Sequence, residues 1–331
     1  MRKNTRVFLL GVAMILALLS ACSSKSNDDS IEISYGTWAN PGEPAYDGME
    51  KFKEIIEKET EGDISVKLFP GNQLGSTEEQ LEQVQLGVTE MISSGNPGLD
   101  KIEYLSLPYL MKSNSHWLHV LESDIGKEWN DTLINEMGIE NIGILPRGPR
   151  VISSNKKVNK PEDMAGLKLR SPERDYYVQT FESLGANPTP MDFGEVYSGL
   201  QTGVVDGQEN PLETFYSSGL EEVQDYVILS NHMYKPAFVT INENFFQSLS
   251  EDHQKVILDA TKEAESYANK KLEESQEEMR EELENLGVTF IEPDMDAFRE
   301  ATQKVRDNLG VKIWGENDYQ EIIKLGQEEL N

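Results

Sequence analysis

Residues 166–211 constrain the fold more than any other part of the chain. The stretch opens GLKLRSP and continues, from Leu184, as LGANPTPMDFGEVYSGLQTGVVDGQENP. Gly-Leu-Lys-Leu-Arg alternates, so Leu167 and Leu169 share one face of a short strand and Lys168 and Arg170 the other. Pro172 ends that strand. The pattern predicts a helix over 173–184, stopped by Gly185. The turn Pro188-Thr189-Pro190 leads to a second helix over 193–202, stopped by Gly203. The apolar pair Val204-Val205 and a polar loop over 206–211 follow. This β-α-turn-α-β-loop order sets Arg170 and Asn210 near the ends of neighbouring strands, where α/β proteins bind ligands.

The chain has 331 residues, enough for one large or two medium domains. A hydrophobic fraction of 37% supports a packed core. The formal charge of −29 argues against nucleic acid as a partner and against electrostatic docking on anionic lipid. If the ligand is an anion, attraction must be local, from arginines inside a cleft. Cys22 is the single cysteine, so no intrachain disulfide can form.

The first 22 residues read as a processing segment. Arg2, Lys3 and Arg6 form a positive start, and the apolar run 7–19 is too short to span a bilayer comfortably. Leu19-Ser20-Ala21-Cys22 resembles a bacterial lipobox, which gives Cys22 the role of lipidation site with cleavage before it. Residues 23–30 are a polar tether.

Residues 31–36 alternate as a first strand, 46–60 read helical and 64–69 form a second strand, a right-handed crossover unit. Ser76 is set to cap a helix over 78–86, and a third strand over 91–93 ends in a Ser94-Gly95-Asn96 turn. Trp38, Thr77, Ser94 and Asn96 all follow strands and are candidate cleft residues. A strand over 141–145 is broken at Pro146-Arg147-Gly148-Pro149-Arg150 and resumes at 151–154, a crossing from one domain to the next. Strands over 227–235 and 238–241 make the return. Ser250 then caps a helix of about 36 residues, ~54 Å long at ~1.5 Å per residue, more than one domain needs. Its apolar stripe lacks sustained heptads, which favours a helix lying across both domains over a coiled coil. The tail reads as a strand over 288–291 and a helix over 297–310, packed on the second domain. His116 and His119 share a probable helix at i, i+3, but no third metal ligand is visible, and His232 and His253 are isolated.

The segments GLKLRSP and LGANPTPMDFGEVYSGLQTGVVDGQENP, the following NHMYKPAF, and the earlier LFPGNQLGSTEEQLEQVQLG and LSLPYLM together resemble the substrate-binding proteins of TRAP (tripartite ATP-independent periplasmic) transporters, the dicarboxylate-binding family. The motifs are long and collinear, and the likeness covers nearly all of the chain after residue 22. It implies a periplasmic-binding-protein-like α/β fold, with two lobes around a cleft and a long helix spanning both. Residues 31–147 plus 236–275 would form one lobe and 148–235 plus 276–331 the other. Carried over residue by residue, the resemblance makes Arg170 the clamp on a ligand carboxylate, Asn210 its polar partner, Arg150 a second cleft arginine and Phe193 an aromatic packed on the ligand. Arg150 stands 20 residues before Arg170 and Asn210 stands 40 after it, spacings that fit the family pattern. An arginine fork suits a carboxylate because it offers two parallel charge-assisted hydrogen bonds.

The function expected is an extracytoplasmic, lipid-anchored solute-binding protein that delivers a small organic acid to an integral-membrane TRAP permease. The membrane is met through the N-terminal lipid only, and the chain is expected to be a monomer without cofactor or metal. The shared arginine reads only the carboxylate. Trp38, Thr77, Glu78 and Asn96 from the first lobe carry the specificity, and their polarity favours a sugar acid, with a C4-dicarboxylate as the other class. A lipoprotein that reports a carboxylate to a receptor kinase would use the same pocket. Catalysis is disfavoured: the chain has no cysteine beyond Cys22 and no G-x-S-x-G elbow or metal constellation, and no G-x-x-x-x-G-K-[ST] nucleotide motif either.

Overall fold

A computed structural model describes residues 31–327; Cys22 and the lipobox lie outside them. Two sheets organise the chain. In the first half, β1 (Ile31–Thr37), α1 (Pro44–Glu59), β2 (Ile64–Phe69), α2 (Thr77–Gln85), β3 (Met91–Ser94), α3 (Asp100–Glu103), α4 (Asn114–Glu122), α5 (Asp124–Thr132) and β4 (Ile139–Leu145) follow in order. The second sheet begins with β5 (Arg150–Ser154), β6 (Lys168–Ser171), α6 (Asp175–Ser183), β7 (Asn187–Pro190), α7 (Val196–Gln201), β8 (Gly207–Pro211), α8 (Leu212–Ser217) and β9 (Tyr226–Met233). The chain then returns through β10 (Ala237–Asn242) and α9 (Glu243–Ser248), and ends with α10 (Glu251–Asn285), β11 (Thr289–Ile291) and α11 (Met295–Leu325).

The five-stranded sheet has the order β2-β1-β3-β10-β4 and the six-stranded sheet β11-β9-β5-β8-β6-β7. The chain therefore passes between the sheets twice through short links that join one strand to the next, at 146–149 and at 234–236, and a third time as α10.

Helix α10 is capped by Ser250, whose hydroxyl accepts from His253 N–H, and runs for 35 residues, ~52 Å at ~1.5 Å each. Its first half gives Ile257, Ala260, Ala264 and Ala268 to the first lobe's core, and its second half gives Met279 and Leu283 to the second lobe's. The small residues serve a close approach to α1. A Cβ on Gly48 of α1 would lie 2.8 Å from Leu145 Cδ2 and 3.0 Å from Ala268 Cβ. One rigid helix thus belongs to both cores.

Three local expectations are corrected. Pro188-Thr189-Pro190 is not a turn but part of β7, an edge strand parallel to β6. Prolines fit there because an edge strand leaves N–H positions that need no partner. The residues 206–211, expected as a polar loop, include β8, which is buried throughout and paired with β5 and β6 in the middle of the sheet. Its polar side chains satisfy one another: Asn210 Nδ2 donates to Gln208 Oε1 at 2.7 Å and Gln208 Nε2 to Ser153 Oγ at 2.9 Å. The strand is not at Val204-Val205, where Val204 is exposed. The last helix runs to Leu325 and kinks at Gly315 (φ 78°, ψ 166°). It packs not only on α6 but also on α4, and Trp314 Nε1 donates to Lys101 O of α3.

Candidate functional site

Arg170 is the next-to-last residue of strand β6, with its side chain turned away from the Leu169 core and almost completely buried. Its Nε and Nη2 both donate to one backbone oxygen, Met191 O, at 3.0 and 2.8 Å. Its Cζ stands 5.8 Å from the centre of the Phe193 ring. No carboxylate reaches it at ion-pair distance among the described residues. Burial pulls the guanidinium down to about 10; Glu209 opposes that shift and Arg150 adds to it. It remains charged at neutral pH. A buried cation without a counter-ion is costly unless something supplies the missing charge.

Arg150 is differently placed. On β5, opposite β8, it forms a two-point ion pair with Glu209: Nε to Oε2 at 2.5 Å and Nη2 to Oε1 at 2.7 Å. Nη2 also donates to Asn210 Oδ1 at 2.9 Å. Burial works against the Arg150 charge and Glu209 more than offsets it. Burial likewise pushes Glu209 up, yet Arg150 and His232 together hold it down at about 2. His232 Nε2 lies 3.3 Å from Glu209 Oε2. Arg150 is thus neutralised within the protein, whereas Arg170 is not.

Both arginines face one cleft of about 500 Å³ between the lobes. Of the residues expected there, Trp38, Thr77, Glu78, Asn96, Phe193 and Asn210 also line it. Ser94 sits behind the wall, where its hydroxyl oxygen accepts Asn96 N–H at 3.0 Å and shapes the turn that presents Asn96. Thr77 and Glu78 stand at the mouth because Ser76 caps α2 with a reciprocal Ser76–Glu79 capping box. Glu78 Oε1 accepts from Arg174 Nη2 at 3.0 Å, an ion pair that joins α2 of the first lobe to the second lobe.

Several cleft residues had no sequence signal of their own. Arg147 and Lys235 lie in the two links between the sheets, and both line the cleft. Arg147 stacks 4.8 Å from the Trp38 ring and donates to Thr214 Oγ1 at 2.7 Å, while its Nε is buried without a partner. Glu43 accepts from Thr214 and Ser217 hydroxyls, tying the first lobe to α8 beside this arginine. Lys235 Nζ donates to Glu103 Oε1 at 2.6 Å and to the Tyr176 hydroxyl at 3.0 Å. A charged residue next to a proline in a lobe crossing, as in Pro146-Arg147 and Lys235-Pro236, was the available hint. Glu103 gave none.

The two spaced histidines do not form a site. His116 is buried with Nε2 2.9 Å from Ile322 O, whereas His119 is exposed. Among the described residues no group of three or more His, Cys, Asp or Glu is arranged to hold a metal, and no helix is long and apolar enough to cross a membrane.

A model of the family described as bacterial extracellular solute-binding protein, family 7, matches residues 35–312. The chain is similar to the C4-dicarboxylate-binding periplasmic protein of Rhodobacter capsulatus, 31% identical over 321 residues that make up 94% of this chain and 96% of that protein. It is similar in structure to a TRAP periplasmic solute binding protein from Roseobacter denitrificans solved with bound L-galactonate (TM-score 0.81, 32% identity, 89% of this chain and 98% of that one). A further one, from Actinobacillus succinogenes and also with bound L-galactonate, gives a TM-score of 0.84 at 30% identity, with 90% and 99% covered.

Proposed function

The chain belongs to family 7 of the bacterial extracellular solute-binding proteins, and from that premise we propose that it captures a small organic acid in the cleft by closing Arg170 on the acid's carboxylate. The observation that carries this reading is the buried, charged Arg170, held in orientation by Met191 O and left without a carboxylate partner among the described residues. A ligand carboxylate supplies the absent counter-charge through the guanidinium edge that Met191 does not use. Asn210, locked by Arg150 and Gln208, is the polar neighbour, and Phe193 is the flat surface beside the guanidinium.

The ligand class is a sugar acid, with a C4-dicarboxylate as the second class; relatives of both kinds support these readings. Arg150, Arg170, Phe193 and Asn210 belong to the second lobe, while Trp38, Thr77, Glu78 and Asn96 reach in from the first. A ligand that touches both sets favours the closed state by its differential affinity. The closed, loaded protein then hands its acid to a TRAP permease in the membrane, to which Cys22 tethers it by lipid. The test is a thermal-shift screen with organic acids, neutral sugars and amines. Stabilisation by one or more acids is expected; stabilisation by a neutral sugar or an amine, and by no acid, would refute it.

A further inference from the structure

Glu103 is a buried carboxylate in the cleft wall with one oxygen in use and one idle. Oε1 accepts from Lys235 Nζ at 2.6 Å and from the Tyr176 hydroxyl at 2.9 Å. Oε2 is buried with no hydrogen-bond partner. Lys235 is buried too, and its ammonium has three donors, of which Glu103 and Tyr176 take two. Glu103, Lys235 and Arg174 all line the same cleft as Arg170. The Tyr177 ring links the two regions, with Arg150 Cζ and Lys235 Nζ each 5.7 Å from its centre.

We propose that Glu103 and Lys235 form a hydroxyl-reading subsite that selects polyhydroxylated monocarboxylates over dicarboxylates. The inference rests on the carboxylate reading of Arg170. An idle acceptor beside a spare donor matches one functional group in particular. A hydroxyl donates to Glu103 Oε2 and accepts from Lys235 Nζ at once. A second carboxylate accepts from Lys235 but has no proton for Oε2, and it brings a like charge against Glu103 in a site shielded from water. Burial lowers the affinity of Lys235 for its proton and Glu103 opposes that shift, in keeping with a pair that relies on each other.

The test is titration calorimetry of the purified protein with L-galactonate, D-gluconate and D-glucuronate against succinate and fumarate, on the wild type and on Glu103→Gln. In the wild type the tightest hydroxylated acid binds at least about tenfold more tightly than either dicarboxylate, and Glu103→Gln shrinks that ratio by about tenfold or more. Equal or tighter binding of a dicarboxylate by the wild type overturns the subsite while leaving the Arg170 reading intact. So does an equal change in all affinities on Glu103→Gln, which makes Glu103 a background charge only. Failure of the wild type to bind any acid removes both. If Glu103→Gln does not melt cooperatively, deoxy analogues of the tightest acid decide the matter on the wild type: at least one deoxy position costs about tenfold, and uniform tolerance of every one contradicts the proposal.

Discussion

Arg150 and Glu209 form a two-point ion pair across strands β5 and β8, fully buried and backed by His232. It holds the cleft-facing strand ends in register and supplies the donor that orients Asn210. Removing one partner leaves the other buried and charged, so Glu209→Gln is expected to cost about 3–5 kcal/mol of folding stability. Urea unfolding at neutral pH measures this; a loss near zero would mean that Arg150 finds water or another partner.

The same triad sets a pH dependence. Burial holds His232 below its ordinary value of 6.5, so the unfolded chain takes up that proton first and stability falls as pH drops below ~6.5. Glu209 is held at about 2, so its contribution is complete above the ordinary glutamate value of 4.5 and is lost as pH falls from there towards about 2. Unfolding midpoints measured from pH 8 to pH 3 should decline in two stages, and Glu209→Gln should flatten the lower one.

The interface between α1 and α10 has no room at Gly48. Gly48→Val is expected to destabilise by about 1–3 kcal/mol through overpacking against Leu145 and Ala268. Thermal unfolding followed by circular dichroism reads the loss. An unchanged midpoint would show that the long helix is free to shift away from the first lobe.

The Arg174–Glu78 pair joins the lobes at the mouth of the cleft, where both side chains are partly exposed. Its weight is small for that reason. The coupling between Arg174→Ala and Glu78→Ala, taken from the two single variants and the double one, should change ligand binding by about 0–1 kcal/mol and shrink in high salt. The single Arg174→Ala also removes the contact of Arg174 Nε with the buried Glu103, at 3.8 Å. Calorimetry at two salt concentrations checks this. A large, salt-independent coupling would contradict it.

The alternation of Gly-Leu-Lys-Leu-Arg, the Ser76 and Ser250 caps and the Pro146–Pro149 break were legible because each is a local signal with a local cause. The same holds for the span of α10, whose apolar period runs longer than one lobe needs. Strand β8 was not legible, because its burial depends on partners far away in sequence: Glu209 needs Arg150, and Gln208 needs Ser153. Polar residues in a central strand look like a loop until those partners are known. The cleft shows the same division. Arg170 and Asn210 stand at strand ends and could be singled out, whereas Glu103 is defined only by Lys235 and Tyr176, which the fold brings to it across both lobes.

The most direct test of the carboxylate clamp is calorimetric titration of Arg170→Ala with whichever acid stabilises the wild type most. Loss of the buried counter-charge predicts an affinity weaker by about 2–5 kcal/mol, roughly thirtyfold or more, with the fold intact by circular dichroism. Near-normal affinity in that variant would contradict the clamp and return Arg170 to a structural role beside Met191.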